Sequence, residues 1–232
     1  MTKAILLDIE GTTTPIDFVH ETLFPYAKER VGKFVAFHFG ALAAEITQLV
    51  DESSHDETYT EPFDPTEPGS VSHYLEHLID RDKKSTPLKS IQGKLWKEGY
   101  ESGELTSVVF ADVPPAFERW RKEGKIVAIY SSGSVLAQRL LFRHTDHGDL
   151  TRFISEYFDT ATGAKREPES YKKIAAKLGV DPSEILFLSD VTAELDAAAE
   201  AGVATVLVIR PGNALQGPAD GSRSAPTLDE ID

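Results

Sequence analysis

Cysteine is absent from this chain, which excludes disulfides, Cys-ligated zinc and thiol catalysis. Long apolar runs are absent too; none approaches the roughly 20 residues of a membrane-spanning helix. A strand-like run begins at Ala4, so no room is expected ahead of it for a cleavable signal. These absences make a cytoplasmic location the expectation. No internal repeat is visible, and no His-Glu-x-x-His zinc motif occurs among the seven histidines. Basic residues are scarce: 24 Lys and Arg face 38 Asp and Glu, a net charge of −14. Such a field disfavours nucleic acid and anionic membranes as partners. It also opposes a phosphorylated small molecule, unless a cation, a lysine or a helix N-terminus reverses the sign locally.

The 232 residues, 41% of them hydrophobic, suffice for one large domain or a core plus a smaller domain. Five apolar runs read as buried strands: 4–7, 126–130, a short one around Tyr157-Phe158, 185–188 and 204–209. Helical patterns cover 115–123, 134–142, 168–178 and 193–201. The third begins with Pro168 and ends at Gly179, the usual asymmetry of helix ends. Strand–helix alternation with continuously apolar strands predicts an α/β fold, a parallel sheet covered on both faces. In such sheets the chemistry lies beyond the carboxyl ends of the strands.

Residues 18–105 interrupt the alternation straight after the first strand. Spaced apolar residues predict helices over 23–38, 41–50, 70–81 and 90–99, with an acidic, proline-bearing loop over 51–69. We read this stretch as a helical insertion, a lid over the strand ends. The polar segment 216–232 is expected on the surface.

The first strand ends Leu7-Asp8-Ile9-Glu10-Gly11-Thr12-Thr13. Two carboxylates and a turn at the end of a buried strand suit a hard cation. They also place a carboxylate oxygen where it can attack phosphorus. The plainer alternative is a strand that ends in a polar loop. The second strand ends Tyr130-Ser131-Ser132-Gly133-Ser134 and opens a helix, whose free N–H groups favour an anion. Ser131 and Ser132 then donate to phosphate oxygens; a simple capped turn reads the same way. Lys165 precedes another helix and either neutralises phosphate or is merely solvated. The fourth strand ends Ser189-Asp190, which approaches Asp8 if the two strands are neighbours. Glu194, one helical turn on, supports Lys165, lies behind a metal, or simply favours the helix N-terminus. His73 and His77, four apart on an expected helix, are read as a polar face rather than a metal pair. Trp96 and Tyr100 read as lid packing, with contact to substrate as the alternative.

Taken in order, Asp8-x-Glu10-Gly-Thr-Thr, Ser131-Ser132-Gly-Ser, Lys165 and Ser189-Asp190-x3-Glu194 resemble the haloacid-dehalogenase superfamily of aspartate-nucleophile phosphotransferases. Within it the chain is most similar to the enolase-phosphatase, or acireductone synthase, family. Asp-Ile-Glu-Gly-Thr-Thr, the run Gln92-Gly93 through Trp96, Gly99-Tyr100 and Gly103-Glu104, and Arg210-Pro211-Gly212-Asn213 carry that likeness across essentially the whole chain. Glu10 stands where most phosphatases of the superfamily have Asp, and the enolase-phosphatases share the Glu. The longer arm shifts the carboxyl by about one methylene, which matters where placement within an ångström governs rate.

The resemblance implies a Rossmann-type core over 1–17 and 106–232 and a helical cap over 18–105. It implies 5-(methylthio)-2,3-dioxopentyl phosphate as substrate, enolised and then dephosphorylated to an acireductone in methionine salvage. It implies Asp8 as nucleophile, Glu10 in proton handling, and Lys165, Ser131 and Ser132 on the phosphate. It implies one Mg²⁺ held by Asp8, Glu10 and Asp190, and a monomer. Competing readings are a general phosphatase of sugar phosphates or nucleotides, a dehalogenase, and a phosphoacceptor receiver module. A dehalogenase has no use for Asp190 as a metal ligand. Receivers are half as long and carry their aspartate on a middle strand.

Overall fold

The first strand is buried along its whole length, and the alternating direction of its side chains sets the architecture. In β1 (Ala4–Leu7), Ile5 and Leu7 face one helical layer while Ala4 and Leu6 face another. The structure is a computed structural model and describes residues 1–213 and 223–231. The other strands are β2 (Ile126–Tyr130), β3 (Glu156–Phe158), β4 (Ile185–Ser189), β5 (Ala204–Val208) and β6 (Arg223–Ala225). All pair in parallel, in the order β3-β2-β1-β4-β5-β6. The sheet grows from β1 through β2 and β3 on one side and through β4 to β6 on the other. The switch point, where such sheets open a crevice at the carboxyl ends, therefore lies between β1 and β4.

Chain division follows the same logic. One unit comprises Met1–Val19 and Thr106–Asp232, the other His20–Leu105. In the sheet unit, α5 (Val113–Lys122) and α6 (Val135–Arg143) cover one face, with Phe117, Trp120 and Phe142 fully buried. The other face carries α7 (Pro168–Leu178) and α8 (Thr192–Glu200) through Tyr171, Ile174, Leu195 and Ala198. In α7, Pro168 opens the helix and Gly179 closes it at φ +71, a left-handed conformation that glycine adopts without steric cost.

The helical unit contains α1 (Phe24–His38), α2 (Ala43–His55), α3 (Pro68–Asp80) and α4 (Thr86–Ser102), with a π-helical turn over Phe18–Leu23 leading in. Val31, Val35, Leu49, Val71, Tyr74, Leu75, Leu78 and Ile91 are buried between them. Ser85 caps α4 by accepting from the Leu88 N–H at 3.2 Å. Trp96 and Tyr100 are buried, and the Trp96 indole donates to the Leu23 carbonyl at 3.0 Å within this unit.

Two expectations need correction. The acidic segment after residue 50 is partly helical: α2 runs to His55 with Asp51 on its exposed side, and Pro68 opens α3. A proline at the first helical position gives up an N–H that has no partner there anyway. On the polar face expected of this pair, the His77 ring is largely buried and meets Asp56 at 3.3 Å, whereas exposed His73 pairs with Glu61. The C-terminal segment contributes β6 and buries Ala225, Leu228 and Ile231 against α5. Arg119 fixes that turn by donating to the Leu228 and Ile231 carbonyls at 2.8 and 2.9 Å. β6 has only three residues, two of them exposed, too few to alternate visibly in sequence. The remainder of that expected surface tail, 216–222 and 232, lies outside the described residues.

Candidate active site

Strand alternation carries past Leu7: Asp8 falls on the side of Ala4 and Leu6, the face of α7 and α8. There the Lys165 ammonium, just ahead of α7, meets Asp8 Oδ1 at 2.6 Å and Glu194 Oε2, in the first turn of α8, at 2.7 Å. The Ile9 N–H donates to the same Asp8 oxygen at 2.7 Å. Ser189 donates to Glu194 Oε2 at 3.0 Å and lies 3.4 Å from Asp8 Oδ2, while accepting from the Val191 N–H at 3.1 Å. Two tyrosines hold the backbone behind this cluster. Tyr171 Oη lies 2.6 Å from the Lys165 carbonyl and 3.1 Å from that of Glu194, and Tyr130 donates to the Gly163 carbonyl at 2.9 Å.

Asp190 arrives from the end of β4, as the β1–β4 pairing requires. Its Oδ2 accepts from Asn213 Nδ2 at 3.2 Å, and the same amide donates to the Gly11 carbonyl at 2.8 Å. Gly11 sits at φ +69; a Cβ there would lie 2.6 Å from Asp190 Cγ and 2.9 Å from Asn213 Nδ2. The turn around it is closed by the Gly11 N–H to the Thr14 carbonyl at 2.8 Å. Glu10 forms a backbone bridge with Thr14 and its side chain is half-buried.

Electrostatics here are unbalanced. Burial, then the Asp8 charge, push Asp190 up to about 7. Burial and Asp8 raise Glu194 as well, despite its contact with Lys165. Burial would pull Lys165 down, but Asp8 and Glu194 outweigh it and hold the ammonium above its ordinary value. Asp8, Asp190 and Glu194 against Lys165 alone leave an excess of two negative charges when all are ionised. A small divalent cation with oxygen ligands would cancel that excess, so the donor set fits Mg²⁺. Among the described residues no three histidine or carboxylate side chains stand in ligating geometry. Backbone carbonyls and substrate oxygens would therefore complete the shell.

Ser131 and Ser132 end β2 beside β1, two and three residues beyond Ile129, which pairs with Leu7. The Ser131 N–H donates to the Phe158 carbonyl at 3.1 Å, and its hydroxyl accepts from the Gly133 N–H at 3.2 Å. Ser134 caps α6 by accepting from the Ala137 N–H at 3.3 Å. The turn thus opens at a helix N-terminus on the strand next to Asp8, an anion-binding arrangement.

Asp8, Lys165, Glu194 and Ser189 form one bonded cluster, and Asp190 joins Gly11 and Asn213. Sequence reasoning gave Arg210 and Asn213 no role beyond a signature, and missed Tyr171 and Asp112. Arg210 is buried, donating to the Thr12 carbonyl at 3.1 Å, to Asp112 Oδ2 at 2.6 Å and to the Pro226 carbonyl at 3.2 Å. Asp112 Oδ2 also accepts from the Leu228 N–H at 2.7 Å. An arginine directly after the apolar run 204–209 was the available signal.

Residues 2–202 match the haloacid dehalogenase-like hydrolase family. Over 214 residues the chain is 52% identical to Enolase-phosphatase E1 of Synechococcus elongatus, covering 90% of each protein. The chain belongs to the enolase-phosphatase family of haloacid dehalogenase-like hydrolases. Enolase-phosphatase E1 of Drosophila persimilis is 48% identical over 218 residues, 91% of this chain and 86% of that protein. The crystal structure of UTR4 protein from Saccharomyces cerevisiae superposes with a TM-score of 0.75 at 36% identity, covering 99% of both chains. CbbY from Rhodobacter sphaeroides, at 16% identity and a TM-score of 0.63, shares the fold. The chain is a phosphatase of the hydrolase class, and no helix among its described residues is long and apolar enough to cross a membrane.

Proposed function

We propose that this enolase-phosphatase enolises 5-(methylthio)-2,3-dioxopentyl phosphate and then dephosphorylates it to the acireductone, the step its relatives' name denotes in methionine salvage. The observation that carries the reading is the Asp8–Lys165 contact of 2.6 Å beside the β1–β4 switch point. An aspartate held there by an ammonium and a backbone N–H is oriented before substrate arrives.

Asp8 attacks phosphorus through a carboxylate oxygen, forming the acyl-phosphate O–P bond as the ester O–P bond breaks and the oxygen leaves on the substrate carbon. Lys165 offsets the charge on the transferring group. Ser131, Ser132 and the amides opening α6 hold phosphoryl oxygens. Glu10 hands a proton to the departing oxygen and draws one from the water that cleaves the acyl phosphate. That second step frees inorganic phosphate and regenerates Asp8. Asp8, Asp190 and a Glu10 oxygen would hold one Mg²⁺, which when bound polarises phosphoryl oxygens and balances the site's excess negative charge.

An anaerobic time course with the diketone phosphate and Mg²⁺, following ultraviolet absorbance and free phosphate together, tests the reading. Enediol absorbance with one phosphate released per substrate is expected. Phosphate without an enediol signal would reduce the protein to a general phosphatase, with Glu10 keeping only its role toward the departing oxygen and the water.

A further inference from the structure

The loop after β5 reaches back to the cluster from the far side of β4, and its last described residue lies against both Gly11 and Asp190. Asn213 Nδ2 has two hydrogens and donates one to the Gly11 carbonyl at 2.8 Å and one to Asp190 Oδ2 at 3.2 Å. Both neighbours accept, so the amide is oriented with its nitrogen toward them. Gly11 leaves the space: a Cβ there would sit 2.9 Å from the same nitrogen. Arg210 anchors the loop from behind through the Thr12 carbonyl and Asp112, and the Asn213 N–H closes the turn on the Arg210 carbonyl at 3.2 Å. The amide therefore joins the turn after Asp8 to the carboxylate at the end of β4.

We propose that Asn213 is a positioning residue of the cation site, its side-chain amide tying Asp190 to the Gly11 backbone so that the oxygen donors are set before a divalent cation binds. This rests on the metal reading above. Without the amide, Asp190 is released from Gly11, and assembling the site costs binding energy. Groups that orient metal ligands from behind typically contribute about 10–100-fold in affinity when removed.

The test is Mn²⁺ binding to the substrate-free protein, followed by electron paramagnetic resonance of the free ion. Asn213→Ala is expected to weaken binding by about tenfold or more, within the range for such partners. Asn213→Leu, which keeps the branching at Cγ and removes both donors, is expected to do the same. Asn213→Gln, an amide on a longer arm, should recover part of the loss. In turnover, Asn213→Ala should raise the Mg²⁺ concentration for half-maximal activation while kcat at saturating Mg²⁺ stays within a few-fold. Near-ultraviolet circular dichroism monitors packing in each variant. Mn²⁺ affinity within twofold of wild type in both the Ala and Leu variants overturns the proposal and leaves the metal reading intact. Wild-type protein that binds no Mn²⁺, or an Asp190→Asn variant that binds it equally well, overturns both.

Discussion

Lys165 Nζ and Asp8 Oδ1 are 2.6 Å apart, with side chains only 10% and 7% exposed. An ion pair this buried stabilises little in net terms, but breaking it leaves a buried carboxylate unpaired. Here the consequence doubles, because Glu194 leans on the same ammonium at 2.7 Å.

Lys165→Ala should therefore destabilise the protein by about 3–5 kcal/mol, the usual result of removing one partner from a buried pair. It should lower kcat/KM by about 10²-fold or more, the scale of losing one preorganised charge at a transferring group. Mn²⁺ binding without substrate should not weaken, because the variant removes a competing positive charge. Urea unfolding, steady-state phosphate release and Mn²⁺ titration together check this. An unchanged rate would return Lys165 to a purely structural role.

Asp8→Asn removes the nucleophile while keeping the shape, so phosphate release should fall to background with the fold retained. Acid quenching of wild-type turnover with radiolabelled phosphate ester should trap label on the protein, and the Asn variant should trap none. Near-native turnover by the variant would eliminate the covalent route.

Legibility in the sequence followed the scale of each signal. The core strands were readable because burial on both faces makes them continuously apolar: β1, β2 and β4 appear close to their expected bounds. Asp8, Lys165, Asp190 and Glu194 each end a strand or open a helix, so strand order alone brings them near one another. What stayed hidden depends on contacts distant in the chain. Asn213 reaches Gly11 across 202 residues and Arg210 reaches Asp112 across 98, and no local period encodes either. For His77, four-residue spacing marks a helix face without saying what covers it; Asp56 and Tyr74 do so here.

That Asp56 cluster sets an acid limit in the helical unit. Hydrogen bonds from Thr58, at 2.6 Å from its hydroxyl and 3.0 Å from its N–H, hold the Asp56 carboxyl below its ordinary value despite desolvation, with Lys83 and His77 adding to the effect. A carboxyl lowered on folding contributes stability above its unfolded pKa and loses it as pH falls through the folded one. Asp56→Asn should thus be less stable than wild type near neutrality, and the difference should start to shrink below about pH 4, where an unfolded Asp protonates, and close as the folded carboxyl protonates at lower pH. Urea titrations of both proteins across the acid range check this. A gap that persists unchanged at low pH would mean Asp56 acts through shape alone.

Gly11 is a strict steric position in the site. Its φ of +69 disfavours any residue with a Cβ by roughly 1–2 kcal/mol. The added methyl group would also have to displace Asp190, whose Cγ lies 2.6 Å from where the Cβ would stand. Asp190 is the more easily moved, since strand pairing and the Gly11–Thr14 hydrogen bond fix the turn. Gly11→Ala should consequently fold with a modest loss of stability, yet bind Mn²⁺ far more weakly. The same displacement breaks the Asn213 bond to Asp190, so adding Asn213→Ala to Gly11→Ala should weaken Mn²⁺ little further. Losses that multiply in the double variant would mean that Gly11 and Asn213 act on the cation site independently.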